Sequence, residues 1–181
     1  SLEECMNSST TITYTGSSDT TSATYTWNFG GGTVISGSGH GPYVVTWNTP
    51  GTKNVVLVVN DNGCSATVSQ QILINAQPVV SLSSSTLSDT ICDGEQVDFT
   101  ANPSNYTNYK FYVNGVLVQD SLINVYSNST LNDGDSVTVF ATDNKGCLSQ
   151  STAAIRVVVK TKPTVSLSLT SNDSLCDCLL Y

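Results

Sequence analysis

The sequence repeats one layout twice, and this repeat constrains its fold more than any other feature. Each copy has a cysteine, a series of short alternating strands, a turn ending in Gly-Cys, and a last long strand. The turns lie at residues 61–64 (Asp-Asn-Gly-Cys) and 143–147 (Asp-Asn-Lys-Gly-Cys), and linkers ending in proline follow at 75–78 and 160–163. Internal repetition of this kind is typical of tandem arrays of small modules.

The sequence restarts after each linker, which sets the predicted boundaries. Residues 78–83 are echoed by residues 163–168, and the echo continues to a cysteine at position 92 or 176. The first copy begins almost at Cys5, without the opening strand that precedes Cys92. We therefore predict modules at 1–76 and 77–161, and the start of a third, truncated repeat at 162–181.

The residue pattern predicts an all-β fold built of tandem β-sandwich modules. Helix formers are scarce, whereas Val, Ile, Thr and Tyr are abundant and often alternate with polar residues. The two-residue loop Asn114-Gly115 predicts a type I′ hairpin between strands at 109–113 and 116–118. Long final strands are predicted at 66–74 and 149–159.

The charge balance disfavours two classes of partner. Six Lys and Arg residues against 14 Asp and Glu give a net charge of −8, which repels nucleic acid phosphates and anionic membranes. No apolar run approaches the roughly 20 residues of a spanning helix. The N-terminus also lacks a signal-peptide layout, so we expect no direct membrane insertion and an export signal outside this sequence.

Six cysteines in a low-charge β-rich chain indicate an oxidising compartment. We predict disulfides between Cys5 and Cys64 and between Cys92 and Cys147, each tying the start of a module to the turn before its last strand. Closing a loop of that size contributes roughly 4 kcal/mol in the chain-entropy treatment. We expect Cys176 to bond to a missing part of the third repeat. Cys178 departs from the repeat, and its role stays open.

Metal binding, cofactor binding and catalysis find little support in the sequence. There is no Cys-x-x-Cys zinc motif, and the sequence has a single histidine. It also has no nucleophile motif and no phosphate-binding loop. We therefore expect a non-enzyme without a cofactor. Four turn aspartates are weak calcium candidates, although Asp is enriched in turns for backbone reasons alone. They are Asp61, Asp133, Asp135 and Asp143.

Two motifs in the first copy resemble a known family. Residues 27–33 read Trp-Asn-Phe-Gly-Gly-Gly-Thr and residues 50–55 read Pro-Gly-Thr-Lys-Asn-Val. They resemble the hallmark of the polycystic-kidney-disease (PKD) domain, Trp-Asp-Phe-Gly-Asp-Gly followed by Pro-Gly-Thr-Tyr-x-Val. Asn28 and Gly31 stand where that family usually has Asp. The likeness implies a PKD-like β-sandwich over most of residues 1–76.

The second copy resembles another group of proteins. Residues 91–95 (Ile-Cys-Asp-Gly-Glu), 111–115 (Phe-Tyr-Val-Asn-Gly) and 143–147 look like Ig-like repeats in giant surface proteins of Bacteroidota. These proteins include gliding-motility adhesins of the SprB kind, exported by the type IX system. The resemblance implies a stalk or adhesive filament outside the outer membrane of a Gram-negative bacterium.

The same bacterial group O-glycosylates proteins at Asp, then Ser or Thr, then a small or aliphatic residue. This chain has five such sites, whereas about one is expected by chance in so Ser- and Thr-rich a sequence. The predicted acceptors are Thr20, Thr90, Ser121, Ser136 and Ser174.

Three functional hypotheses remain. The first is a non-catalytic structural or adhesive repeat, whose partners are neighbouring repeats and surface glycans or other cell-surface proteins. The second is an accessory module of a secreted polysaccharide-degrading enzyme. The third is a carbohydrate-binding module with Trp27, Tyr43 or Trp47 as ligand aromatics, although aromatic residues on strands are more often part of the core.

Overall fold

The structure, a computed structural model, describes residues 2–169, and every regular element in that range is a β-strand. This confirms the predicted all-β fold. No stretch of these residues forms a helix with the length and apolar character needed to cross a bilayer. Strand pairing falls into two sets that share no strand, one within residues 2–75 and the other within residues 81–160. We call them the first and the second module.

The first module is a sandwich of two sheets. One sheet has the order β1-β7-β6-β3 and the other β2-β5-β4, and β1 runs parallel to β7. The strands are β1 (Leu2–Cys5), β2 (Ser9–Ile12), β3 (Thr24–Asn28), β4 (Thr33–Ser36), β5 (Tyr43–Thr46), β6 (Gly51–Asp61) and β7 (Cys64–Asn75).

The second module repeats most of this plan and adds an opening strand. Its strands are β8 (Ser81–Ser84), β9 (Thr90–Cys92), β10 (Val97–Asn102), β11 (Asn108–Val113), β12 (Val116–Ser121), β13 (Val125–Asn128), β14 (Ser136–Thr142), β15 (Ile155–Arg156) and β16 (Val158–Lys160). The sheets have the orders β13-β10-β8 and β12-β11-β14-β15, and β16 pairs in parallel with β9. Here β12 pairs with β11, whereas β4 at the equivalent position of the first module pairs with β5.

The two modules bury different amounts of apolar side chain. Eleven buried residues form one cluster in the second module, including Phe99, Tyr109 and Phe111, none of which is exposed. The corresponding cluster of the first module has four residues, namely Val45, Trp47, Ile72 and Ile74. The strands alternate as predicted, with Val137, Val139 and Ala141 of β14 pointing inward.

The Asn114-Gly115 hairpin is confirmed. Both residues have positive φ, 51° and 78°, and Val113 pairs with Val116 across the loop. A type I′ turn requires this geometry, which Asn and Gly adopt at low cost.

The single strand predicted at 149–159 is wrong. Only residues 155–156 and 158–160 are strands, and between them the chain leaves β14 and joins β9. Before the switch, side chains replace part of the backbone ladder, because the hydroxyls of Ser149 and Thr152 accept hydrogen bonds from the amides of Ala141 and Val139.

Candidate functional site: the bridged junction

A disulfide joins the two modules. The Sγ atoms of Cys5 and Cys147 lie 2.04 Å apart and their Cα atoms 5.4 Å apart, across a sequence separation of 142 residues. Cys5 ends β1, and Cys147 follows the turn after β14. The protein is therefore stapled across its modules rather than within them.

Each cysteine is held at the module end that faces the linker. Cys5 pairs with Asn75, the last residue of β7, three positions before Pro78. The turn before Cys147 is fixed by the Asp143 carboxylate, whose Oδ1 accepts hydrogen bonds from the amides of Lys145 (2.9 Å) and Cys147 (2.8 Å). Cys147 is fully buried. The turn thus positions this sulfur rather than leaving it on a mobile loop.

The predicted bridge between Cys5 and Cys64 is wrong. Cys64 begins β7, and Cys5 lies beside Asn75 at the other end of that 12-residue strand. At about 3.3 Å per residue the two cysteines are roughly 36 Å apart, whereas a disulfide requires Cα atoms within about 7 Å.

The predicted bridge between Cys92 and Cys147 is wrong for the same reason. Cys92 pairs with Lys160, which lies beyond the start of β14, whereas Cys147 lies just beyond the end of β14. Strand rises place the two about 30 Å apart. Cys64 and Cys92 are both exposed, and neither has a disulfide partner within residues 2–169. Cys176 and Cys178 lie outside the described residues.

Polar contacts surround the bridge. The Lys145 ammonium lies 3.4 Å from Oε2 of Glu3, and the Asn75 amide donates to the same oxygen at 3.2 Å. The Asn75 hydrogen bond and then the Lys145 contacts hold the pKa of Glu3 below its usual value. Because these side chains are exposed, such an ion pair contributes little free energy. The disulfide therefore provides the main connection.

The predicted ligand aromatics are mostly committed to the protein itself. Trp47 is buried and its indole N–H donates to the Phe29 carbonyl at 2.8 Å. Trp27 is half-buried, stacks on Phe29 at 5.6 Å, and donates to the Gly39 carbonyl at 3.1 Å. The Tyr43 hydroxyl donates to the same carbonyl. The hydrogen bonds from Trp27 and Tyr43 hold the loop around Gly39 in place. Trp27 is the more accessible of the two tryptophans.

The four calcium candidates lie in three turns, with Asp133 and Asp135 in the same one, and they accept hydrogen bonds from backbone or side-chain amides there. Asp133 accepts from the Val159 amide at 3.0 Å, and Asp61 accepts from the side chain of Asn62 at 3.0 Å. Asp135 accepts from the Asn132 amide, at 2.8 Å, and from the Asn114 side chain. These two bonds, the first being the larger cause, lower the pKa of Asp135. Within the described part of the chain, no three His, Cys, Asp or Glu residues form a metal-binding group.

The predicted glycosylation acceptors differ in accessibility. Thr20 is exposed in the loop between β2 and β3, while Thr90, Ser121 and Ser136 are half-buried. The Ser136 hydroxyl donates to the Asn114 side chain, and the Thr90 hydroxyl donates to the Ser88 carbonyl. Ser174 lies outside the described residues. Among the four candidates that the structure describes, Thr20 is thus the most accessible.

Comparison with known proteins connects the first module to a family. Residues 2–74 match the family model described as the PKD domain. The match covers the whole of the first module apart from its last strand residue. The first module is therefore PKD-like, in agreement with the motifs at residues 27–33 and 50–55. A search of curated proteins finds no match to the chain.

Several solved structures resemble the chain at low identity. Fibronectin(III)-like modules of Clostridium thermocellum CbhA are 16% identical, with 92% of this chain and 95% of that chain covered and a TM-score of 0.45. A Bacteroides ovatus glucan-utilization protein, SGBP-B, in complex with a mixed-linkage heptasaccharide, is 17% identical, with 87% and 42% covered and a TM-score of 0.33. Titin domains z1z2 in complex with telethonin are 17% identical, with 90% and 93% covered and a TM-score of 0.35.

Proposed function

We propose that the chain is a non-catalytic structural segment of a long adhesive array, displayed on the surface of a Gram-negative bacterium. Its modules set the reach of the array, and its partners are neighbouring modules and surface glycans or proteins. The observation that supports this most is the disulfide between Cys5 and Cys147, because it connects successive modules and not parts of one core.

The bridge changes how the chain responds to a pulling force. Tension that enters before Cys5 passes through the disulfide to Cys147 and bypasses the segment between them, whose ends are 142 positions apart in sequence. At about 3.4 Å per residue that segment would otherwise release about 480 Å of unfolded chain. A bridged array therefore keeps its length under load, which suits a surface filament.

A single-molecule pulling experiment on the chain tests this function. With the ends held at Ser1 and Thr161, the oxidised protein is expected to extend by about 480 Å less than the protein treated with a reducing agent. The Cys64→Ser variant is the control, because it removes a cysteine without touching the bridge. Equal extension of the oxidised and reduced protein would refute the load-bearing role.

The surface location has its own test. Treatment of intact host cells with a protease should release peptides of this chain, whereas a periplasmic or internal protein stays protected. The full-length gene should contain many further repeats. A single catalytic domain with no additional repeats would favour the alternative of an accessory module in a polysaccharide-degrading enzyme.

Glycans are part of the proposal. We expect O-linked sugar on at least one of the five acceptors in protein from the native host, with Thr20 the most accessible of the four that are described. Intact-mass measurement before and after Thr20→Ala tests that position, and the bare polypeptide mass would contradict glycosylation altogether. Sugar binding by Trp27 is the weaker alternative, because Phe29 already covers one face of its ring.

A further inference from the structure

The two cysteines outside the bridge occupy positions equivalent to the two inside it. Cys92 ends β9 and pairs in parallel with Lys160 of the last strand, as Cys5 ends β1 and pairs in parallel with Asn75. Proline follows three positions after the paired residue in both modules, as Pro78 and Pro163. Cys92 therefore stands at the exit of the second module as Cys5 stands at the exit of the first.

Cys64 matches Cys147 in the same way. Each follows a turn that begins with Asp and has glycine at positive φ just before the cysteine, 82° at Gly63 and 81° at Gly146. Cys64 lies at the end of the first module remote from the linker. It is exposed, whereas Cys147 is buried. This difference in exposure is expected if Cys64 forms a bridge to a neighbouring module that the structure does not include.

We propose that the array is joined by a staggered series of disulfides, in which the exit cysteine of each module bonds to the turn cysteine of the module that follows. Cys92 then bonds to a turn cysteine in a following repeat, and Cys64 bonds to an exit cysteine in a preceding repeat. This rests on the proposed array. The echo of residues 78–83 at residues 163–168 independently indicates that a further module starts at Pro163.

Bridge formation requires an oxidant of the disulfide class. The Cys92 thiolate attacks an oxidised dithiol, such as the disulfide form of an oxidoreductase or of glutathione, and forms a mixed disulfide. The thiolate of the neighbouring module then displaces the reduced oxidant. Two protein thiols become one disulfide, and the oxidant disulfide takes up the two electrons and two protons as two thiols.

The stagger has a consequence that bridges within modules do not have. Because Cys92 precedes Cys147 in sequence, the loop closed at Cys92 begins before the loop between Cys5 and Cys147 ends. Consecutive loops therefore overlap, and every residue between the first and the last bridge lies inside at least one closed loop. Bridges within modules would leave residues 65–91 outside any loop.

A lengthened chain tests the proposal with the protein's own modules. Residues 1–162 are followed directly by a second copy of residues 78–162, so that Pro78 takes the place of Pro163 and the linker length is kept. The appended copy carries Leu148→Val, an exposed position, as a mass marker beside its turn cysteine. The protein is refolded in oxidised and reduced glutathione, and its bridges are mapped by proteolysis and mass spectrometry without reduction.

The expected result is two bridges and two free thiols. Cys5 bonds to the first copy's Cys147, and the first copy's Cys92 bonds to the appended turn cysteine. Cys64→Ser should leave both bridges, whereas Cys92→Ser should remove only the second. A circular dichroism spectrum like that of residues 1–162 verifies folding of each variant.

Two outcomes would overturn the staggered series alone, and a third would overturn the proposed function as well. If Cys5 and Cys147 are bonded while Cys92 remains open to alkylation, the staggered series is wrong and the load-bearing role of the existing bridge stands. Mapping of Cys92 to Cys64 also refutes the series. If Cys5 and Cys147 themselves do not bond, both the series and the proposed function fail.

Discussion

The two modules share a plan, but the second is closed where the first is open. In the second module β8 pairs with β10, and Val80 and Leu82 pack on the buried cluster. Within the described residues the first module has no strand at that position. The edge of β2 borders a groove lined by residues that include Ile12 and Ile72. The opening strand is thus what completes the core of such a module.

A buried polar atom marks the same open edge. The hydroxyl of Thr10, on β2, is buried and has no hydrogen-bond partner. A buried hydroxyl without a partner destabilises a fold by about 1–3 kcal/mol. The second module has a comparable atom, Oδ1 of Asn108, so unpaired polar groups do not distinguish the modules. The first module does have the smaller buried apolar cluster, and we expect it to depend more on its connection to the second.

Removal of the bridge should have the largest effect. The double variant Cys5→Ser with Cys147→Ser should lower the free energy of unfolding by about 5 kcal/mol, because the closed loop spans 142 residues. Urea denaturation measures the loss, and hydrogen exchange should locate it mainly in the first module. Uniform loss in both modules would contradict the view that the open module depends on the bridge.

A matched pair of core substitutions compares the two interiors directly. Ile91 in the second module and Ile72 in the first are each 3% exposed. We expect Ile91→Ala to cost about 4 kcal/mol and Ile72→Ala about 2 kcal/mol, because the site of Ile72 can relax into the adjoining groove. Hydrogen exchange in each module measures the cost, and equal costs would show that the groove does not loosen the core.

Addition of an opening strand should make the modules more alike. Fusion of residues 78–87 ahead of Ser1 reproduces the spacing between β8 and Cys92. We expect the first module to gain about 2 kcal/mol, since two apolar side chains then enter the groove. The control fusion has Ser in place of Val80 and Leu82. A gain from both fusions would attribute the effect to something other than apolar burial.

The smallest expected effect is electrostatic and concerns the junction. Because the pKa of Glu3 is lowered in the folded protein, its contribution is present above the unfolded pKa of about 4.3 and is lost as pH falls through the folded value. The Tm difference between wild type and Glu3→Gln should therefore shrink from pH 7 to pH 3. Glu4→Gln is the control, and a widening difference would reverse the sign of the argument.

The sequence predicts the strands better than the connections between them. The alternation in residues 136–142 and the Asn114-Gly115 loop are local signals, because side-chain period and turn chemistry depend only on neighbours in sequence. The break near Val157 depends on the hydroxyls of Ser149 and Thr152, which replace backbone acceptors only once the sheet exists. The periodicity of the sequence does not reveal that side-chain hydroxyls replace backbone acceptors at this point.

The disulfide pairing could not be predicted because it depends on direction. Cys5 lies near the start of its module in sequence, yet β1 runs parallel to β7, so that Cys5 arrives at the module's exit. The parallel pairing of first and last strands is the missing information. With it, Cys5 and Cys92 can be placed at the module exits, because their partners Asn75 and Lys160 both lie three positions before a proline. Cysteine spacing alone contains no information on strand direction.

The parallel pairing of first and last strands also determines how the first module resists rupture once the bridge between Cys5 and Cys147 is reduced and no longer carries the load. When tension pulls the start of β1 and the end of β7 apart, the two strands slide past each other in shear. The hydrogen bonds between Leu2–Cys5 and the facing residues of β7 are then loaded together rather than broken one at a time. The same parallel pairing recurs between β9 and β16, although the chain enters the second module through β8 and reaches this clamp one strand later.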